Sequence, residues 1–454
     1  MKKLLLLFFA ITLISCNEVT KPTYVMFSGT VENSPSNTIK IFGNDFESEL
    51  TITEDGSFSD TLKINKNDYY TLRLGRESTP VYLVQGTSLE VTLNAKEFDE
   101  TLVYSGVAAA ENNYLVAKYL LSEKEMAFDK VYSLPESEFI SQAEKMNSSY
   151  VALLNSTAGI SEIFGAKETK ELKYAHLNNL ENYQEYHIYF TKKEGFSVSD
   201  TYYNSVSDFD FADTNAYENS NAYKRLAASH FGRLAYELSE NKDIDIALAY
   251  LQVVDKSFPN GTTKDDLMND YLRYGMKPNA SLEEVYNLYK NANQNKENLA
   301  LVTDRFNLLK NLTPGNTSPT FTYENHKGGE TSLADLKGKV VYVDVWATWC
   351  GPCKREIPYL KDVENEYHGK NIEFVSISID EKKDYDAWRN MVSDKELGGI
   401  QLMADNDWKS KFVTDYGIKG IPRFILIDAE GNIVNSDAPR PSSASIRSAL
   451  DEVL

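Results

Sequence analysis

Between residues 24 and about 105 the chain alternates apolar and polar positions with a period of two. In LTITEDGSFSDTLKI, Leu50 and Ile52 lead into an Asp55-Gly56 turn signal, and Phe58, Leu62 and Ile64 follow it. VYLVQGTSLEVTLN repeats the theme, with Val81 and Leu83 before Gly86 and Leu89, Val91 and Leu93 after it. Because successive strand residues point to opposite faces, each run predicts strands with one buried face on either side of a tight turn. An N-terminal antiparallel β-sandwich over 24–106 is expected, with no catalytic constellation in it.

From 107 to 312 the pattern becomes helical. SLEEVYNLYK opens with Ser281 and Glu284 in capping-box spacing, and Leu299, Val302, Phe306 and Leu309 share one face of a later segment. No repeat period stands out, so the expectation is an all-α central region of unspecified helix number. Tyrosines crowd YQEYHIYF, Tyr183 to Phe190. Amphipathic packing with the hydroxyl reaching water explains them, as does a surface for glycans or peptides. NLTPGNTSP, Asn311 to Pro319, ends the helices with Pro314 and Gly315 and reads as a linker.

The last stretch, 313–454 with its linker, alternates strands and helices. KVVYVDVW is an almost unbroken β-branched and aromatic run, as a central strand covered on both faces requires. A helix follows within or just after CGPCKREIPYLKDVENEY, then the buried strand IEFVSISID and a helix from about Tyr385. RFILIDAEGNIVN gives two strands around an Ala429 to Gly431 turn, and SASIRSALDEVL a closing helix.

A length of 454 residues, 42% of them hydrophobic, suits two or three domains. The formal charge of -20 argues against a nucleic-acid partner, whose binding relies on Lys and Arg displacing counterions. The first residues look like a targeting segment: Met1, Lys2 and Lys3, then the apolar LLLLFFAITLI, too short to span a bilayer with comfort. LISC, Leu13 to Cys16, resembles the lipobox of bacterial lipoproteins. That resemblance implies a signal peptide over 1–15, a lipidated Cys16, a tether over 16–23 and a periplasm-facing place in the cell envelope. An ordinary cleaved signal with an incidental cysteine is the alternative.

Cys350 and Cys353 are then the two remaining thiols. A disulfide between them closes too short a loop to constrain much unfolded-chain entropy, so a staple explains them poorly. Thiol-disulfide exchange explains them better, since it needs a sulfur that ionises easily, and unpaired N–H groups at a helix start stabilise negative charge. Cys350 at that start would be the nucleophile, and Cys353, one turn later and deeper, the resolving thiol. Pro352 suits an early helix position, and Gly351 leaves a partner chain room to approach. Asp344 lies in the preceding apolar strand with Tyr342 and Trp346. There it should hold its proton tightly and be suited to taking one from Cys353, unless it merely hydrogen-bonds the backbone.

WATWCGPCK resembles thioredoxin, and more closely the exported thioredoxin-like thiol-disulfide oxidoreductases related to the cytochrome c maturation reductases. The resemblance covers the last third of the chain and implies a thioredoxin-like α/β fold that exchanges disulfides with proteins. It also implies a buried Asp six residues before the first cysteine, matched by Asp344, and an acidic residue six after it, matched by Glu356, which could equally be a solvated helix residue. A cis-proline opposite the motif is matched by Pro422, with Ile421 before it pairing with substrate backbone; by sequence alone Pro422 could be a strand-entry proline. Trp346 and Trp349 resemble the family's aromatics near the thiols, the first as packing and the second as contact surface. The arrangement of a β-rich part, helices and a thioredoxin-like module resembles Bacteroidetes lipoproteins. No cofactor beyond the cysteine pair is implied. A reductant outside the cytoplasm would draw on a membrane electron donor.

Three other readings compete. Zinc would need two more ligands, yet no second C-x-x-C exists and the five histidines lack ligand spacing. A thioredoxin-fold peroxidase resembles the helix-start cysteine, but the position for its Thr holds Ala347, and Thr348 is one too late. A surface-binding or scaffold lipoprotein with an accessory redox module is the third.

Overall fold

The structure, a computed structural model, describes residues 23–125 and 127–454. The expected signal segment and Cys16 lie outside the described residues. The chain divides between His230 and Phe231 into two compact units.

In the first unit, eight strands form a sandwich: β1 (Val25–Glu32), β2 (Thr38–Gly43), β3 (Phe46–Thr51), β4 (Ser57–Leu62), β5 (Asp68–Leu74), β6 (Glu77–Leu83), β7 (Thr87–Asn94) and β8 (Val103–Gly106). One sheet has the order β4-β1-β7-β8 and the other β3-β2-β5-β6. All the apolar positions picked out of the two alternating runs lie in a single core cluster, from Leu50 at 2% exposure to Val81 and Leu83 at 0%. Neither run is a hairpin, however. β3 and β4 belong to opposite sheets, as do β6 and β7, so each turn carries the chain across the sandwich. Alternation reports which face is buried and is blind to which sheet buries it. The pairs are antiparallel except β1 with β7, which run parallel, an arrangement open only to strands that no short turn joins.

The helices of this unit close one sheet edge. On the helix Ala109–Glu125, the Asn112 amide donates to the Tyr82 carbonyl at 2.9 Å and accepts its N–H at 2.7 Å, satisfying a backbone that the edge strand β6 would otherwise leave unpaired. Phe164 packs edge-on against Tyr82, with ring centroids 4.9 Å apart. Within the tyrosine-dense segment, Tyr183 is fully buried and donates its hydroxyl to the Leu134 carbonyl at 2.7 Å.

The second unit begins within the helix Asn221–Lys242, so the expected central helical region is shared between the units. The helix Leu282–Ala292 lacks the capping bond suggested by its sequence: Ser281 has helical angles, φ −87° and ψ −3°, which turn its hydroxyl away from the first free N–H groups. On Lys296–Lys310, Val302 and Leu309 are buried and Leu299 and Phe306 half-buried.

The α/β part is built on β9 (Thr322–Asn325), β10 (Glu330–Ser332), β11 (Val340–Trp346), β12 (Ile372–Ser378), β13 (Ile400–Met403), β14 (Arg423–Ile427) and β15 (Ile433–Asn435). They form one mixed sheet in the order β10-β9-β13-β12-β11-β14-β15. β11 is central, parallel to β12 and antiparallel to β14, and all seven of its residues are buried. The segment expected to be a free linker instead lies along the sheet edge: Gly315 N–H donates to the Ile433 carbonyl at 2.8 Å, and Ile433 N–H to the Asn316 carbonyl at 2.8 Å.

Candidate active site

β11 delivers the chain to the motif, and the motif helix Gly351–Glu366 carries it away. Cys350 is the N-cap of that helix, and its Sγ accepts the Cys353 N–H at 3.1 Å. The two sulfurs are joined as a disulfide with Cα atoms 5.3 Å apart. Pro352 occupies the opening positions of the helix, where its missing N–H leaves no bond unmade. A Cβ added to Gly351 would meet nothing within 4 Å, so internal packing does not require glycine there. Both cysteines are buried, at 4% and 3% exposure, so the expected difference in depth is absent. The strand-entry loop before β14 covers Cys350: the Ile421 carbonyl oxygen stands 3.8 Å from its sulfur, and the Ile421–Pro422 peptide bond is cis.

Trp349 is 53% exposed beside the disulfide, with its ring 6.3 Å from that of Trp408, whereas Trp346 is buried in the core. Two carboxylates stand on the elements that flank the motif, Asp344 on β11 and Glu356 on the motif helix. Asp344 is 9% exposed, and its Oδ1 has no hydrogen-bond partner among the described residues, so the backbone-bonding alternative does not account for that oxygen. Burial first, and then the negative charges of Glu356 and Glu364, push its carboxyl up to about 8. Glu356 is not a solvated helix residue: it is 9% exposed and accepts the Ser442 N–H at 3.0 Å and hydroxyl at 2.9 Å.

Two acidic residues escaped the sequence reading. Glu364 is raised to about 7 by burial, with Lys361 opposing the shift. Its helical spacing, eight positions after Glu356, puts it near the same face and could have pointed to it. Asp380, just beyond β12 and 1% exposed, accepts the Thr348 N–H at 2.9 Å, the Thr348 hydroxyl at 2.7 Å and the Ser378 hydroxyl at 2.6 Å. It thereby fixes the two-residue approach to Cys350, and no local sequence signal announces it. Among the described residues, no group of three or more His, Cys, Asp or Glu side chains is placed to hold a metal ion, and no helix is long and apolar enough to cross a membrane.

A family profile described as Redoxin matches residues 313–454. The thiol-disulfide oxidoreductase ResA of Bacillus thuringiensis (strain Al Hakam) is 32% identical over 120 residues, covering 26% of this chain and 66% of that protein, so this chain spans just under two thirds of its length. ResA of Bacillus subtilis (strain 168) is 30% identical over 125 residues, covering 28% of this chain and 67% of that protein. Among solved structures, the thioredoxin domain of a thiol-disulfide oxidoreductase from Bacteroides vulgatus is 29% identical, with 32% of this chain and 99% of that chain covered and a TM-score of 0.29. A thiol-disulfide oxidoreductase from Bacteroides fragilis is 27% identical, with 30% and 99% covered and a TM-score of 0.28.

Proposed function

The chain belongs to the thioredoxin-like thiol-disulfide oxidoreductases, and on that premise we propose that it is an exported, membrane-anchored enzyme that reduces protein disulfides through Cys350 and Cys353. One observation carries the reading: Cys350 caps the motif helix with its own sulfur, at the point where unpaired N–H groups favour a thiolate. The Cys350 thiolate attacks one sulfur of a client disulfide, forming a mixed disulfide and releasing the other client sulfur as a thiolate. Cys353 then gives up its proton and attacks Cys350 Sγ, releasing the second client sulfur and closing the Cys350–Cys353 disulfide. Asp344, buried and titrating at about 8, takes that proton in its ionised form, a minority below pH 8 that grows as pH rises. Glu356 sets how much negative charge surrounds it. The client gains two electrons and the cysteine pair loses them; a dithiol donor at the membrane restores the pair.

The Ile421 backbone beside cis-Pro422 and the exposed Trp349 ring flank the sulfur a client must reach, with Gly351 leaving the approach open. The lipobox-like LISC supports anchoring through Cys16 in the cell envelope. The Gly-Pro dipeptide supports the reducing direction, because thioredoxin sits near about -270 mV and strong oxidants near about -120 mV. The test uses the full mature chain with reduction of insulin disulfides as the readout. Cys350→Ala should abolish turnover, and Cys353→Ala should accumulate a mixed disulfide on Cys350. A reduction potential near that of the strong oxidants would reverse the proposed direction.

A further inference from the structure

The first unit carries a half-open pocket of about 430 Å³ that the redox chemistry does not use, in the size range of small-ligand sites. The start of β5 and parts of five helices line it, among them Glu136–Ser156 and Glu162–Glu181. On its wall the acids are already satisfied. Glu168, 1% exposed, accepts the hydroxyls of Tyr69 and Tyr114 at 2.5 and 3.1 Å and pairs with Lys118. Asp68 pairs with Lys66 at 2.8 Å and with Lys167. Three ammonium groups thus face two carboxylates.

The unfilled capacity is of another kind. Arg225 and Lys224 line the cavity without an ion pair among the described residues, although the Lys224 ammonium lies over the Tyr217 ring at 5.2 Å. Asn147 makes no side-chain hydrogen bond among them, and the buried Nδ1 of His176 has no partner. Burial lowers the pKa of that imidazole, so it stays neutral near pH 7. Of the other two lining acids, Glu171 takes the Ala222 N–H at 3.3 Å and Glu218 is exposed to water. The lining carries four bases and four acids, and in a chain of net charge -20 that balance sets the pocket apart from the rest of the surface.

We propose that this cavity binds a small carboxylate-bearing molecule that also carries hydroxyl or amide groups, its carboxylate meeting Arg225 and Lys224 and its neutral polar groups meeting Asn147 and His176. A sugar acid and a short acidic peptide share this chemistry. Titration calorimetry on the full chain with D-galacturonate and with the dipeptide Gly-Asp separates them, using D-galactose and Gly-Asn as neutral counterparts. The expected result is saturable one-to-one binding of at least one acid, at least tenfold weaker for its neutral counterpart and for the Arg225→Ala protein, and weakening as salt rises. Arg225 is exposed, so its replacement should leave the melting temperature unchanged. The proposal is overturned if neither acid binds saturably, if the neutral counterpart binds as tightly, or if Arg225→Ala binds as the native chain does.

Discussion

Ser442 gives Glu356 two hydrogen bonds, one from its backbone N–H at 3.0 Å and one from its hydroxyl at 2.9 Å, across 86 positions of sequence. The clasp fixes a carboxylate on the motif helix next to Asp344, whose ionisation it opposes. Ser442→Ala keeps the backbone bond and loses the other, and because Ser442 is exposed the expected cost is about 1 kcal/mol in denaturant unfolding. Glu356→Gln removes one of the charges that raise Asp344. Its carboxyl titration, followed by carbon NMR in the oxidised protein, should therefore fall from about 8, with most of the shift remaining because burial is the larger cause. An unmoved midpoint would mean that Glu356 does not sense Asp344.

Asp344 makes the protein less stable as pH rises. Its folded carboxyl titrates at about 8 against an ordinary 3.8, so between those values the unfolded chain releases a proton that the native state keeps. Stability is therefore lost from about pH 4 to pH 8 and is flat beyond, with a size on the order of 6 kcal/mol at about 1.4 kcal/mol per unit. Asp344→Asn should be more stable than the native chain at pH 8.5 and nearly equal to it at pH 4. Paired melts at the two pH values decide this, and equal gains at both would show that the carboxyl is not responsible.

The same substitution bears on turnover. Positioned acid-base groups contribute about a hundredfold or more, so Asp344→Asn should slow release of the mixed disulfide at least tenfold and leave its formation nearly unchanged. Quenched-flow trapping of the two steps separates them. If formation slows as much as release, Asp344 acts on Cys350 instead.

Asp380, itself buried, holds three donors. Asp380→Ala strands the Thr348 N–H and both hydroxyls, at an expected cost of about 3 kcal/mol or more. Asp380→Asn, which keeps one carbonyl oxygen, should lose less. Peptide-disulfide kinetics for the Asn variant should show a raised KM as the segment before Cys350 loosens.

In the sandwich, a Cβ on Gly29 would lie 2.0 Å from the Val91 carbonyl oxygen and 2.8 Å from the Phe58 ring. Gly29→Ala must push β1 from β7 and should destabilise the first unit by about 3 kcal/mol. Thermal unfolding of the full chain would show the transition that reports the first unit move down.

Local chemistry was legible where it depended on neighbours along the chain. The period-two runs gave strands and their buried faces, KVVYVDVW gave a fully covered central strand, and the spacing of Cys350 and Cys353 set both at the start of a helix, because strand and helix geometry follow from residues a few positions apart. Pairing across space was not legible. That the Asp55-Gly56 turn crosses between sheets, that β1 runs parallel to β7, that Ser442 reaches Glu356 and that Asp380 anchors Thr348 are set by the closing of the whole core, in which distant segments compete for the same backbone and carboxylate partners. The sequence by itself determined which residues bring two sulfurs to the start of one helix and which faces are buried. Only the tertiary structure decided the electrostatic setting of those sulfurs, since burial and charge proximity depend on what the fold packs over each group.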